Sequence, residues 1–315
     1  MSKQNRILII TLTLMIAAIV WLLRSSGTSG NPVDADLFRV DQQNEVDRVQ
    51  LVSATDSIEL NFSGARWQVN QTFAADRRMI KVFFAALDQV RPVREVLGTE
   101  ADSARQWLQQ KGVAVSLFKN DQLVSTFRAG GNPAKTLAYF RHADGSLYAI
   151  QIPGYRVYAS GIFETELAQW RDKRLFDFNW QNFKSLALIS RESAQNFEIS
   201  FNGSAFGIAG METDTARLNS YLDDVSLMAA DAFYQPGTSV QLDSLLQTPA
   251  AFEIQVQDVG SRTYRLEVFS PRAKTEAIAG RLNGEPLLLS REKAAILAKK
   301  KSYFQRTTNR QTPPF

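Results

Sequence analysis

The chain has no cysteine in its 315 residues and a single histidine, His142. Without cysteine there are no disulfides, no thiol nucleophile and no cysteine-ligated zinc or iron–sulfur centre. A lipoprotein anchor, which acylates a cysteine, is excluded with them. One histidine cannot supply a histidine-rich metal centre, and it leaves a Ser-His-Asp triad only if His142 is the base. No Gly-x-Ser-x-Gly elbow accompanies it. Excess charge is also scarce. The formal net charge is +4, and Lys3, Arg6 and Arg24, in a stretch without acids, account for most of it. The remainder is nearly neutral, whereas a nucleic-acid footprint needs a basic face.

What the sequence does have is one long apolar run. Residues 7–23, opening at Ile7 and closing at Leu23, read ILIITLTLMIAAIVWLL, with Thr11 and Thr13 as the polar members. At 1.5 Å per residue this covers about 25 Å, against a bilayer core of about 30 Å. Arg6 and Arg24 can snorkel to extend the reach, and Trp21 suits an interface. The run predicts an uncleaved transmembrane helix. A cleaved signal peptide fits less well, because Arg24 follows directly and no small-x-small site precedes it. A buried core helix fits least, given the polar Ser25-Ser26-Gly27-Thr28-Ser29-Gly30 linker that follows. Lys3 and Arg6 precede the run, whereas Arg24 alone follows it. The positive-inside bias therefore places the N-terminus in the cytoplasm and the bulk outside, periplasmic in a diderm cell.

Beyond the linker the chain repeats itself at an offset of about 139 residues. SIELNFSGARWQV (57–69) matches FEISFNGSAFGI (197–208), each an alternating run that turns at a glycine and returns, as a β-hairpin does. Shorter strand-like pieces precede them at 46–52 and 183–189. A helical stripe follows in both copies: Ile80, Phe83, Phe84, Leu87 and Val90, then Leu218, Tyr221, Leu222, Val225 and Met228. Asp76 and Asp214 stand ahead of these stripes as helix-start residues. VAVSLF (113–118) and FEIQV (252–256) open a four-stranded meander in each copy. Asp144-Gly145 and Asn283-Gly284 serve as its two-residue hairpin turns. The predicted class is α+β: an N-terminal transmembrane helix, then two similar units of antiparallel sheet with helices covering one face. The predicted boundaries are a cytoplasmic stub and membrane helix at 1–24, a linker at 25–36, units at 37–172 and 173–304, and a frayed tail at 305–315.

Several residues carry motifs worth testing for chemistry. His142 beside Ala143-Asp144-Gly145 reads as a surface residue flanking a turn. Asp223-Asp224, adjacent on a helix, point to different sides and read as solvated surface. Glu164 and Glu166 read as exposed helix charges. Carboxylate pairs of this kind are what a glycoside hydrolase would need. Gly130-Gly131 lacks the Lys-Ser/Thr of a P-loop and reads as a loop between meander strands. Arg171-Asp172-Lys173-Arg174 and Lys299-Lys300-Lys301 could meet anionic lipid or an acidic partner; charge near helix ends explains them more simply. Twenty phenylalanines and five tryptophans fall mostly on core-facing positions, which favours packing over sugar stacking. No catalytic, cofactor-binding or metal-binding residue is assigned.

Trp67-Gln68-Val69 after a glycine turn, Ala75-Asp76 opening a helix with Leu87, the segment from Tyr148 to Tyr158, and Arg171-Asp172-Lys173-Arg174-Leu175 carry a resemblance. Over roughly residues 60–190 the chain resembles the domain-of-unknown-function 4340 family. It departs at Lys111-Gly112-Val113, where the family tends to Tyr-Gly-Leu. The resemblance implies a single-pass extracytoplasmic protein without established enzymatic activity, associated with ABC-type transporters. The expected function is a non-enzymatic accessory or scaffold subunit with a membrane or envelope protein partner and no nucleic acid. The alternative is a module binding envelope glycans or lipids in a cleft between the copies, and a carboxylate hydrolase ranks third.

Overall fold

A computed structural model describes residues 12–13, 15–19, 33–40, 46–270 and 277–306. Most of the apolar run at 7–23 lies outside the described residues; those of it that are described, 12–13 and 15–19, are helical. Among the described residues no helix is long and apolar enough to cross a membrane. The chain divides into two compact units, Met1–Arg171 and Asp172–Phe315.

The first unit is built on a nine-stranded antiparallel sheet. Alternation of buried and outward residues sets its first strands, β1 (Arg48–Val52), β2 (Ser57–Ser63) and β3 (Arg66–Val69), with a two-residue β4 (Phe73–Ala74) at the edge. Gly64 and Ala65 both take positive φ, the left-handed pair a two-residue β2–β3 turn requires. Helix α1 (Arg77–Gln89) follows, capped by Asp76, whose Oδ1 accepts from the backbone N–H groups of Arg78 and Met79. Then come β5 (Arg91–Glu95), helix α2 (Gly98–Lys111) and a meander of β6 (Val113–Lys119), β7 (Gln122–Gly131), β8 (Ala138–His142) and β9 (Leu147–Gln151). A short helix α3 (Leu167–Trp170) closes the unit. The strand order is β4-β3-β2-β1-β6-β7-β8-β9-β5.

The second unit runs β10 (Phe183–Ser190), β11 (Phe197–Phe201), β12 (Phe206–Ile208), helix α4 (Thr215–Ser226), β13 (Ala232–Phe233) and helix α5 (Val240–Leu246). It continues through β14 (Phe252–Asp258), β15 (Thr263–Val268), β16 (Ala277–Leu282), β17 (Glu285–Ser290), helix α6 (Arg291–Leu297) and a 3-10 turn at Lys301–Phe304. Its order, β12-β11-β10-β14-β15-β16-β17-β13, is that of the first sheet without the edge strand β4. Asp214 caps α4 by accepting from Arg217 N–H, as Asp76 caps α1.

Both helical stripes face the core. Ile80, Phe83, Phe84, Leu87 and Val90 are buried against the sheet of the first unit, and Leu218, Tyr221, Leu222, Val225 and Met228 against that of the second. A shared closing contact completes each core. Asp76 N–H donates to Trp170 O, and Ala75 bridges Arg171; Asp214 N–H donates to Phe304 O, and Thr213 bridges Gln305. Trp170 and Phe304 are wholly buried, ring to ring with Phe83 and Tyr221. Just before β1, Phe38 is buried among Phe127, Phe140 and Tyr148.

Four expectations need correction. Helices cover both faces of each sheet, not one. On the face away from α1, α2 buries Ala101, Ala104 and Leu108 with Tyr139 and Leu147; away from α4, α5 buries Leu245 and Leu246 with Phe269 and Ala279. The β16–β17 turn is the expected two-residue Asn283-Gly284, both at positive φ with Leu282 paired to Glu285. The β8–β9 turn is longer: His142 N–H bonds Ser146 O and Gly145 N–H bonds His142 O, leaving three residues between. Gly130 and Gly131 end strand β7 and are buried, not in a loop. Gln305 and Arg306 belong to the fold, since Arg306 N–H donates to Glu212 O; residues 307–315 lie outside the described residues.

Candidate binding groove

Because α2 and α5 each lie over one end of their sheets, part of the same face is left uncovered. In the first unit the uncovered strands are β1, β2, β3 and β6, and alternation dictates what they show. Val49, Leu51, Ile58, Leu60 and Val69 point to the core, so Arg48, Gln50, Glu59, Asn61 and Gln68 point outward. The register sets Gln50 opposite Glu59, Arg48 opposite Asn61, and Asn61 opposite Gln68. The result is a shallow, open groove of about 590 Å³ lined by Arg48, Glu59, Asn61, Ser63, Gln68, Gln71 and Asp121.

Glu59 organises this groove. Its Oε1 accepts from Asn61 Nδ2 at 2.6 Å and Gln71 Nε2 at 3.2 Å, and its Oε2 from Gln50 Nε2 at 3.1 Å. Gln71 is brought there by a turn in which Asn70 and Gln71 both have positive φ. Asn70 fixes the turn by accepting Glu59 N–H on Oδ1 at 2.7 Å. The Asn61 amide first, then those of Gln50 and Gln71, hold the Glu59 carboxyl below its ordinary value. A proton donor at neutral pH needs the opposite shift, so this carboxylate is an ionised acceptor. The Arg48 guanidinium carbon lies over the Phe118 ring, 3.9 Å from its centroid, and Arg48 donates to Asp121 Oδ1 at 3.0 Å. The Gln68 and Ser63 side chains take no partner among the described residues.

The residues singled out from the sequence lie elsewhere. His142 is one-third exposed, with Nδ1 3.2 Å from Asp144 Oδ1 and its ring edge-on to Phe38. Ser146 N–H, then His142, keep the Asp144 carboxyl below the usual range. Asp223 and Asp224 are exposed, as expected, and Asp223 accepts from Trp180 Nε1 at 2.8 Å. Glu166 is exposed and caps α3 in a reciprocal box with Gln169. Glu164 is not an exposed helix charge. It precedes α3 with its side chain 17% exposed, accepts from Tyr158 Oη, and pairs with Lys135 at 2.9 Å. Burial, then the Glu164 bond, raise the Tyr158 phenol above its ordinary range.

The structure brings Gly131 to that same tyrosine. A Cβ on Gly131 would stand 2.2 Å from Leu137 O and 2.4 Å from the Tyr158 ring. Beside it, Ser160 Oγ donates to Gly130 O at 2.6 Å. The glycine pair is thus a packing requirement. Cations of the two basic clusters are largely engaged within their own units. Arg171 lies 3.6 Å over the Phe73 ring, Arg174 pairs with Asp172 and Asp177, and Lys299 sits over Tyr303. Asp172, with Asp177, accordingly raises the Arg174 guanidinium above its ordinary value. Among the described residues no group of three or more histidines or carboxylates could hold a metal ion.

Sequence reasoning missed the groove because its lining comes from three strands and two turns. The signal was present as the outward, polar half of the alternation in β1, β2 and β3.

Among family models, the one described as Domain of unknown function (DUF4340) matches residues 67–248. No curated protein matches, and no solved structure matches.

Proposed function

We propose that this chain, which belongs to the DUF4340 family, is a non-enzymatic accessory or scaffold protein. In this reading residues 7–23 tether it to the cytoplasmic membrane with the N-terminus inside. The two units are then displayed outside the cytoplasm to a membrane or envelope partner of the ABC-transporter type. The observation that carries the reading is the repeated architecture: two units of one strand order, each leaving part of one sheet face uncovered. Such a chain offers a partner two surfaces on a single tether, and linked weak contacts gain from effective concentration. The most organised carboxylate on the uncovered face, Glu59, is ionised and bonded to three amide donors, which suits recognition better than proton transfer.

Two measurements test it. Cell fractionation of the full-length protein should place it in the membrane, with residues after 33 accessible to protease only from the extracytoplasmic side; recovery from the cytosol would overturn the tether. Crosslinking in cells, then purification in detergent, should recover a membrane-protein partner. A monomer without one would overturn the scaffold role.

A further inference from the structure

The geometry points to a binding site for a neutral saccharide on the uncovered sheet face of the first unit, centred on Glu59 and Gln68. Four observations converge. First, the carboxylate of Glu59 takes one N–H from each of three primary amides. Asn61 and Gln71, which line the groove, are thereby held with a carbonyl oxygen and a second N–H that take no other partner among the described residues. Arrays of fixed, alternating donors and acceptors match vicinal hydroxyl groups, which both donate and accept, and prior fixation lowers the ordering cost of binding.

Second, Gln68 and Ser63 line the same groove with uncommitted polar groups. Third, the charge of the lining argues for a neutral ligand. Among the described lining residues Arg48 is the only cation and is already paired with Asp121, so a phosphate or sulfate would face a net negative wall. A cation would have to compete with the three N–H donors already on Glu59. An extended peptide pairs backbone with a sheet edge, but here β1, β2 and β3 are already paired with one another on the face concerned.

Fourth, the site is absent from the second unit although its scaffold is present. Glu198 holds the place of Glu59, but Ala187, Ser200 and Gly207 stand where Gln50, Asn61 and Gln68 do. The amide array is a property of one copy and is not forced by the fold. Because Phe118 is covered by Arg48, its ring offers no stacking platform. Affinity therefore comes from hydrogen bonds, and a dissociation constant on the order of 1 mM is expected.

The test uses full-length protein in a detergent without a sugar headgroup, titrated with cellotetraose and with tetra-N-acetylchitotetraose and read by saturation-transfer NMR. At least one of the two should bind. Gln68→Ala should weaken it roughly tenfold or more with an unchanged melting temperature, since the Gln68 side chain takes no partner among the described residues; Glu59→Ala should abolish binding. Glu198→Ala should have no effect. Absence of binding by both sugars, or binding undiminished in Gln68→Ala, would overturn the site. So would preferential binding of a sulfated oligosaccharide or of an uncharged peptide. None of these outcomes bears on the tether or the partner, which rest on other residues.

Discussion

Glu59 and Glu198 occupy the same position in two sheets of the same strand order, and their surroundings differ almost completely. Around Glu59 the neighbouring outward positions are Gln50, Asn61 and Gln68; around Glu198 they are Ala187, Ser200 and Gly207. Glu59 is half-buried and bonded to three amides, while Glu198 is exposed. The inward positions of the same strands tell the opposite story: Leu60 and Ile199, Val69 and Ile208, Leu51 and Leu188 are all buried and apolar. The two units thus share one core pattern and differ on one uncovered face. Core positions answer to close packing, where a change of one methylene is felt. Outward positions are free to vary unless something binds them.

The comparison is broken most severely at the closing contact. Trp170→Ala and Phe304→Ala should each destabilise their own unit by ~3–5 kcal/mol, through lost burial and the cavity left behind. Hydrogen exchange should show the loss confined to the unit carrying the change. Trp170→Phe sharpens the comparison, because Trp170 Nε1 is buried without a hydrogen-bond partner among the described residues while Phe304 has no such atom. Removing an unsatisfied donor offsets part of the lost volume, so this variant should cost well under half of what Trp170→Ala costs. An equal cost would show that the indole N–H is satisfied.

A somewhat smaller difference is expected between Gly131→Ala and Gly280→Ala. The first puts a methyl against the Leu137 carbonyl and the Tyr158 ring. The second meets first the end of Leu287, 2.9 Å away, a side chain that can turn aside. The cost should be about 1–3 kcal/mol for Gly131→Ala and clearly less for Gly280→Ala in denaturant melts. Next come the helix caps. Asp76→Ala loses two backbone donors and Asp214→Ala one, so each should cost ~1 kcal/mol with Asp76 the larger.

These contrasts also mark what the sequence made legible. The hairpins, the stripes of α1 and α4, and both aspartate caps follow from local periods of two and 3.6, so they could be read directly. Helix α2 could not. Its buried members are the small Ala101 and Ala104 with Leu108, and it starts at Gly98, which has positive φ, behind Leu97, which supplies no side-chain cap. Strand β5 carries Pro92, and β13 has two residues; each takes its place from the strand it pairs with. The closing contact aligns Trp170 with Phe304, an offset of 134, so a search at a fixed spacing near 139 passes it by. The groove is less legible still. Glu59 meets amides two, nine and twelve residues away, and only the register and the left-handed turn at Asn70-Gln71 bring them together.

The smallest effect tests the starting contrast itself. The amides hold the Glu59 carboxyl below its ordinary value of 4.5, so the folded state favours the ionised form more than the unfolded chain does. That contribution is fully present above the unfolded pKa and is lost as pH falls through the lower folded one. Glu59→Gln should therefore melt below the wild type at pH 7, and the gap should close as the pH is taken from about 5 downward. Glu198→Gln, with alanine and glycine on its flanks, removes no amide contacts and should leave the melting temperature at pH 7 unchanged. If both variants behaved alike, the three amide bonds to Glu59 would contribute nothing to folding, and the divergence between the two faces would be one of sequence without energetic consequence.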